Sequence, residues 1–145
     1  MISNINYKGF MEGDMSELVF SEKRPQQCVR KFDEYTIIFF RSRKCRIMGC
    51  KKELDITTLP FNITIERIQS ITVTTSIGHQ VNLFNLSQII QSVYEPELFP
   101  ALRLTQFKPL CVNVFMSGKI VITGIKTLEF QSLVDYILNL LFFYV

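Results

Sequence analysis

A chain of 145 residues, 48% of them hydrophobic and 20% charged, has the size of one domain and enough apolar material for a real core, which excludes a disordered chain. The formal charge of +3 is too mild to demand a nucleic-acid partner, although the basic residues cluster between Lys23 and Lys52. Four cysteines without a secretory leader point to free thiols in a reducing compartment, so Asn62-Ile63-Thr64 and Asn85-Leu86-Ser87 read as chance matches to a glycosylation signal.

The first strongly patterned segment, Thr36 to Lys52, alternates apolar and polar residues on both sides of a Ser-centred turn, which predicts a half-buried β-hairpin. Its period of two places Ile37, Phe39, Cys45 and Ile47 on one face and Thr36, Ile38, Phe40, Arg46 and Met48 on the other. A short helix is expected near Leu86 to Val93. At a shift of 75 the hairpin recurs without a gap as Cys111 to Thr127, and six of the 17 pairs are identical, where chance gives about one or two. Here Val112, Val114, Ile120 and Ile122 share one face, and Asn113, Phe115, Val121 and Thr123 the other. Two copies are too few for a solenoid and predict a single domain, 1–145, with internal pseudo-symmetry.

The most apolar stretch, Leu133 to Val145, is too short for a membrane span, which needs about 20 residues. Phe130, Leu133, Val134, Ile137, Leu138 and Leu141 follow helical spacing, so a core helix is expected, with Phe142-Phe143-Tyr144-Val145 in excess of its stripe. The first-named face of each hairpin is then the core face, packed under helices. The second stays open, and large apolar groups on an open sheet face call for a ligand.

Catalytic and metal chemistry finds little support. Cys28, Cys45, Cys50 and Cys111 lack the paired spacing of a zinc site, and Cys45 and Cys50, five apart on one strand, are expected on opposite faces. His79, after Gly78, reads as a turn residue. No nucleophile with its base and orienter is recognisable, nor a glycine-rich phosphate loop, so neither an enzyme nor a bound cofactor is expected.

The segment Tyr94-Glu95-Pro96-Glu97-Leu98-Phe99-Pro100-Ala101-Leu102 resembles the second-repeat signature of the TATA-box-binding proteins, with Ala101 in place of Gly. Lys108-Pro109 follows, and Val114 to Lys126 is similar to the family's Phe-x-Ser-Gly-Lys-x-Val-x-Thr-Gly-x-Lys hairpin. Ile68 to Val73 with Gly78 resembles the strand that opens each repeat. Residues 61–145 match as a second repeat, and 1–57 as a degenerate first one. The resemblance implies an α+β saddle: a curved antiparallel sheet of two pseudo-symmetric repeats, ten strands in all, with helices on the convex face. It implies a transcription initiation factor that binds double-stranded promoter DNA from the minor groove and bends it.

Carried over by position, Phe99 and Phe115 become the DNA-intercalating pair of the second repeat, with Phe40 as their first-repeat counterpart. Minor-groove contacts fall on Pro100, Val121, Thr123, Ser70, Thr72 and Asn113 in the second repeat, and on Ile38, Arg46 and Met48 in the first. Phosphate contacts fall on Lys119 and Lys126, and by the internal register on Lys44 and Lys51. Glu95, Glu97 and Leu98 match the residues that dock a transcription factor IIB-like protein. The implied workplace is the nucleus, or a viral transcription site where the host is a DNA virus.

The chain also departs from the family. Ser70 stands where an Asn is expected, Thr72 where a Val is, and Asn113 where an apolar residue is. The strand before Phe115 is one residue short, implying a bulge or a shifted start. In the first repeat Asn4 persists, but the second wedge position falls near Pro25, and Arg46 and Met48 replace Val and Thr. Arg46 offers an electrostatic substitute, since Arg is drawn into a narrow minor groove. Only 18 residues separate Lys51 from Ser70, leaving little room for a long helix, and residues 10–22 are too few for the usual helical connection. A partner protein, a second copy or compact packing must then cover that half. The alternative function is a protein-interaction module of the same fold with weak or no TATA-specific binding.

Overall fold

Alternation of β-branched and aromatic residues around tight turns builds nine strands, and the structure, a computed structural model, describes all residues 1–145. They are β1 (Ile2–Met11), β2 (Gln27–Lys31), β3 (Thr36–Phe40), β4 (Lys44–Cys50), β5 (Ile63–Ser76), β6 (Ser92–Val93), β7 (Ala101–Leu104), β8 (Cys111–Phe115) and β9 (Lys119–Ile125). Two α-helices complete the chain, α1 (Leu83–Ile89) and α2 (Gln131–Tyr144). Two compact units divide it, one of Ile2–Ile71 and one of Thr72–Val145 with Met1. The boundary runs inside β5, whose 14 residues are unbroken, so β5 serves both units. Each unit therefore has five strands, and the ten of the resemblance become nine.

In the first unit the strand order is β2-β3-β4-β1-β5, and in the second β5-β9-β8-β7-β6. The expected core faces are the buried ones. Ile37, Phe39, Cys45 and Ile47 are at most 1% exposed, and Val112, Val114, Ile120 and Ile122 are fully buried. Each large aliphatic side chain so buried contributes about 1.5–3 kcal/mol.

In the second unit α2 supplies Val134, Ile137 and Leu141 to the core, with Leu133 and Leu138 half-buried beside them. The expected stripe is thus present, and Phe142, Phe143, Tyr144 and Val145 lie exposed beyond it. The shorter helix begins earlier than Leu86. Asn82 caps α1 by accepting from the Asn85 amide at 3.1 Å, and the chain leaves the helix at Ile90 to form β6 where a helix was expected to continue to Val93.

The first unit has no α-helix. Its only helical turn is the 3-10 segment Ile56–Thr58, capped by Asp55. Loops do the covering. The Tyr7 hydroxyl accepts from the Leu54 amide at 3.0 Å, Phe61 meets Phe39 edge-on at 4.9 Å, and Leu18 is buried.

Cys45 and Cys50 do not face opposite ways; both are buried. Between them Ile47 pairs with Tyr7 and Cys50 with Ile5, three residues on β4 against two on β1, so a bulge returns Cys50 to the core. Gly49, at φ 85°, makes the bulge possible because a side chain disfavours that conformation. Gly124, 75 residues on, has φ 92°, and Ile122 and Ile125 on either side of it are both buried. The strand before Phe115, by contrast, pairs with β7 without any bulge. A turn closed by the Leu110 amide on the Phe107 carbonyl shifts its start to Cys111.

Candidate nucleic-acid interface

The second unit builds its open face from alternation. Asn113 and Phe115 alternate with buried Val112 and Val114, Val121 and Thr123 with buried Ile120 and Ile122, and Thr72 with buried Ile71 and Val73. Asn113 pairs with Val121 across the hairpin, and its side-chain oxygen accepts from the Arg103 guanidinium at 3.4 Å and from the Cys111 thiol at 3.9 Å.

Phe115 closes this face opposite Ala101, where β7 begins just after Phe99 and Pro100. The amides of Leu98 and Phe99 both donate to the Glu95 carbonyl, at 2.9 and 3.0 Å. That tight turn pushes Leu98 out to 80% exposure and holds Phe99 at 41%. The Phe99 and Phe115 rings then stand 6.3 Å apart, inclined at 65°, as one partly exposed apolar pair. Glu95 and Glu97 are exposed on the same turn, and Lys119 and Lys126 at the two ends of β9.

The first unit repeats this frame with different chemistry. Thr36 pairs with Met48, and Ile38, Arg46 and Lys8 form a row across β3, β4 and β1. Phe40 pairs with Gln27, so the position beside it that Phe99 fills in the second unit falls on Pro25. The Pro25 carbonyl accepts from the Arg41 guanidinium, which also lies 4.3 Å over the Phe20 ring. No second wedge stands beside Phe40. Lys44 and Lys51 are exposed, and Ser70, next to buried Ile71, lies half-buried.

Asn4 keeps a defined role in this frame. Its side-chain oxygen accepts from the amide of the bulge residue Gly49 at 2.8 Å, which turns the amide nitrogen into the remaining donor. Lys8 and Phe10 also belong to the open face, although sequence reasoning missed them. The signal was there: Ile5, Tyr7, Gly9 and Met11 are buried at period two along β1, so the residues between them point outward.

Charge is divided unevenly between the units. Residues 2–71 hold twelve Lys and Arg against nine Asp and Glu, and the remainder holds four against four. The net +3 therefore belongs to the first unit alone. Burial pushes the Cys45 thiol up to about 11 and raises Cys50 as well, which makes both inert near neutrality. No group of three or more His, Cys, Asp or Glu side chains is placed to hold a metal ion.

A family model described as "Transcription factor TFIID (or TATA-binding protein, TBP)" matches residues 66–142. The TATA-box-binding protein of Methanococcus aeolicus is 32% identical over 130 positions, spanning 75% of this chain and 71% of that one. The TATA-box-binding protein of Schizosaccharomyces pombe is 37% identical over 110 positions, spanning 65% and 48%. Among solved structures, "Methanococcus jannaschii TBP" superposes with a TM-score of 0.73 at 25% identity, covering 95% of both chains.

Proposed function

The chain belongs to the TATA-box-binding protein family, and from that premise we propose that it binds double-stranded promoter DNA on the minor-groove side and bends it. The family is one of DNA-binding transcription initiation factors, not of enzymes. The observation that carries the finer reading is the Phe99–Phe115 pair, two partly exposed rings 6.3 Å apart at the border of an otherwise small-residue face. A ring driven between two base pairs replaces the lost stacking with its own π face, and the bend brings more protein surface onto the duplex. TATA-box-binding proteins are themselves the type case of such kinking, at roughly 80°, a magnitude that belongs to the family as a whole.

Val121, Thr123, Thr72 and Pro100 supply the groove-facing surface of the second unit in this reading, with Asn113 held in place by Arg103. Ser70, Ile38, Arg46 and Met48 do so in the first. Lys44, Lys51, Lys119 and Lys126 hold phosphates, which fixes position without reading sequence. Glu95, Glu97 and Leu98, on the turn that presents Phe99, recruit the IIB-like factor. Relatives occur in archaea and in fungi, so the compartment follows the host, and in a eukaryote it is the nucleus.

A gel-shift titration against TATA and non-TATA duplexes at several salt concentrations tests the reading. Four phosphate contacts give a slope of log affinity on log salt of about −3.6, or roughly a hundredfold loss between 50 and 200 mM. Replacing Lys119 and Lys126 together flattens the slope by about two. Equal, salt-insensitive or absent binding to both duplexes replaces this function with that of a protein-interaction module.

A further inference from the structure

In the first unit the open face carries a cleft that the wedge chemistry does not use. Lys44 pairs with Phe10 on one side and closes the hairpin from Phe40 on the other, so Phe40, Lys44 and Phe10 form one row across three strands. The neighbouring row is Ile38, Arg46 and Lys8. The two rings, with Lys44 in the row between them, line an open cleft of about 410 Å³ to which Lys8, Arg46 and, from β5, Glu66 also contribute. Phe10 is 37% exposed, and none of these four charged side chains forms an ion pair or hydrogen bond within the chain.

We propose that this cleft seats a single unstacked guanine base of DNA; the proposal rests on the DNA-binding reading above and replaces wedging with base capture in the first unit. Two strand spacings separate the backbones that carry the rings, about 9.5 Å. A flat base stacked between two rings needs roughly 7 Å, twice the stacking distance in DNA. Stacking on aromatic side chains is sequence-tolerant, and by itself it accepts any base. Lys8 and Lys44 suit the phosphates on either side of that base.

Glu66 supplies the selection. A carboxylate only accepts hydrogen bonds, and beside phosphates it is repelled, so within a DNA strand its favourable partner is a base N–H. Guanine alone sets two donors side by side, N1–H and the exocyclic amine, to face the two carboxylate oxygens. Reading an extruded base by its pairing edge while rings hold its faces is an established mode of recognition.

The base can come from a single strand or from a disturbed duplex, and the experiment separates them. Amide NMR titration of the full chain with dT-dT-dG-dT-dT, with the same strand carrying hypoxanthine for guanine, and with five dT residues reads the first source. A duplex with one unpaired dG, against the fully paired duplex, reads the second. The guanine strand is expected to bind at least about fivefold more tightly than the hypoxanthine strand, with shifts at Lys8, Phe10, Phe40 and Arg46. Glu66→Gln should erase that difference, and Phe10→Leu should weaken all three strands. A preference shown by the pentanucleotide alone assigns the cleft to single strands, and one shown also by the unpaired duplex assigns it to disturbed duplexes. Equal binding of guanine and hypoxanthine strands, or shifts confined to other residues, overturns the proposal even where paired duplex binds. Guanine preference without paired-duplex binding overturns the promoter reading and leaves the cleft standing.

Discussion

Arg43 and Gly118 occupy the same turn position 75 residues apart, and both adopt left-handed backbone, at φ 74° and φ 91°. The carbonyls of both accept from the end of a neighbouring segment, Met11 at the end of β1 donating to Arg43 at 2.8 Å and Ile77, just past β5, to Gly118 at 2.9 Å. Arg43 offsets its strain through its guanidinium, which donates to the Met11 and Gly13 carbonyls at 2.9 and 2.8 Å.

The two turns should therefore respond differently to substitution. Gly118→Ala places a methyl group against the His79 carbonyl and adds left-handed strain, for a loss of at least about 2 kcal/mol. Arg43→Gly loses two hydrogen bonds but relieves strain of about 1–2 kcal/mol, and should stay within about 1 kcal/mol of the parent. Urea unfolding of both variants checks the pair. A Gly118→Ala protein as stable as the parent contradicts the close approach at His79.

The wedge predicts an uneven bend. Phe115 has Phe99 beside it, whereas the corresponding position next to Phe40 is Pro25, so the base step under the second unit should unstack and the one under the first should not. Phe115→Ala should lower binding by about 1.5–3 kcal/mol, near the value of burying one Phe, and Phe40→Ala by less. Energy transfer between dye-labelled duplex ends reads the total bend, and 2-aminopurine at each end reads local unstacking. If Phe115→Ala binds and bends DNA as the parent does, the rings serve another ligand.

Glu97 and Leu98 point outward from the turn that positions Phe99, and neither side chain anchors it; the backbone bonds to Glu95 do. Charge reversal of Glu97 should leave binary DNA binding within about 1 kcal/mol, because an exposed charge contributes little. Recruitment of a IIB-like factor to the preformed complex should fall tenfold or more. Parallel loss of both activities in gel shifts would sink this division of labour.

Thiol labelling reports which face DNA covers. Cys111 lies on the open face beside Asn113, while Cys28, Cys45 and Cys50 are buried and burial holds Cys45 at about 11. At pH 8 iodoacetamide should modify Cys111 first and the other three only after urea is added. Bound promoter duplex should slow Cys111 labelling several-fold, as read by peptide mass spectrometry. Unchanged labelling in the complex removes the second unit's open face from the interface.

Much of this was legible in the sequence because alternation is a local property. The faces of β3, β4, β8 and β9 follow from period two, and the α2 stripe from helical spacing. The face of Cys50 was not legible, because a single residue in left-handed backbone at Gly49 resets the period and nothing upstream announces it. The span of α1 was misjudged because apolar spacing outweighed the cap at Asn82, the signal that fixes its start. What covers the first unit was hidden for a different reason. Phe61 and Leu54 act from irregular segments, where contacts depend on the whole fold and no periodicity marks them.

The left-handed glycine that the two hairpins share, Gly49 and Gly124, bears on how such a chain arose. In the aligned hairpins only six of 17 side chains agree, yet left-handed backbone recurs at the same two positions, Arg43 with Gly118 and Gly49 with Gly124. That is the mark of a tandem duplication whose copies are free to change their side chains but not their backbone. The two copies differ in what covers them, a 3-10 turn and loops in the first and two helices in the second. The hairpin is the inherited unit, and the helices are its replaceable cover.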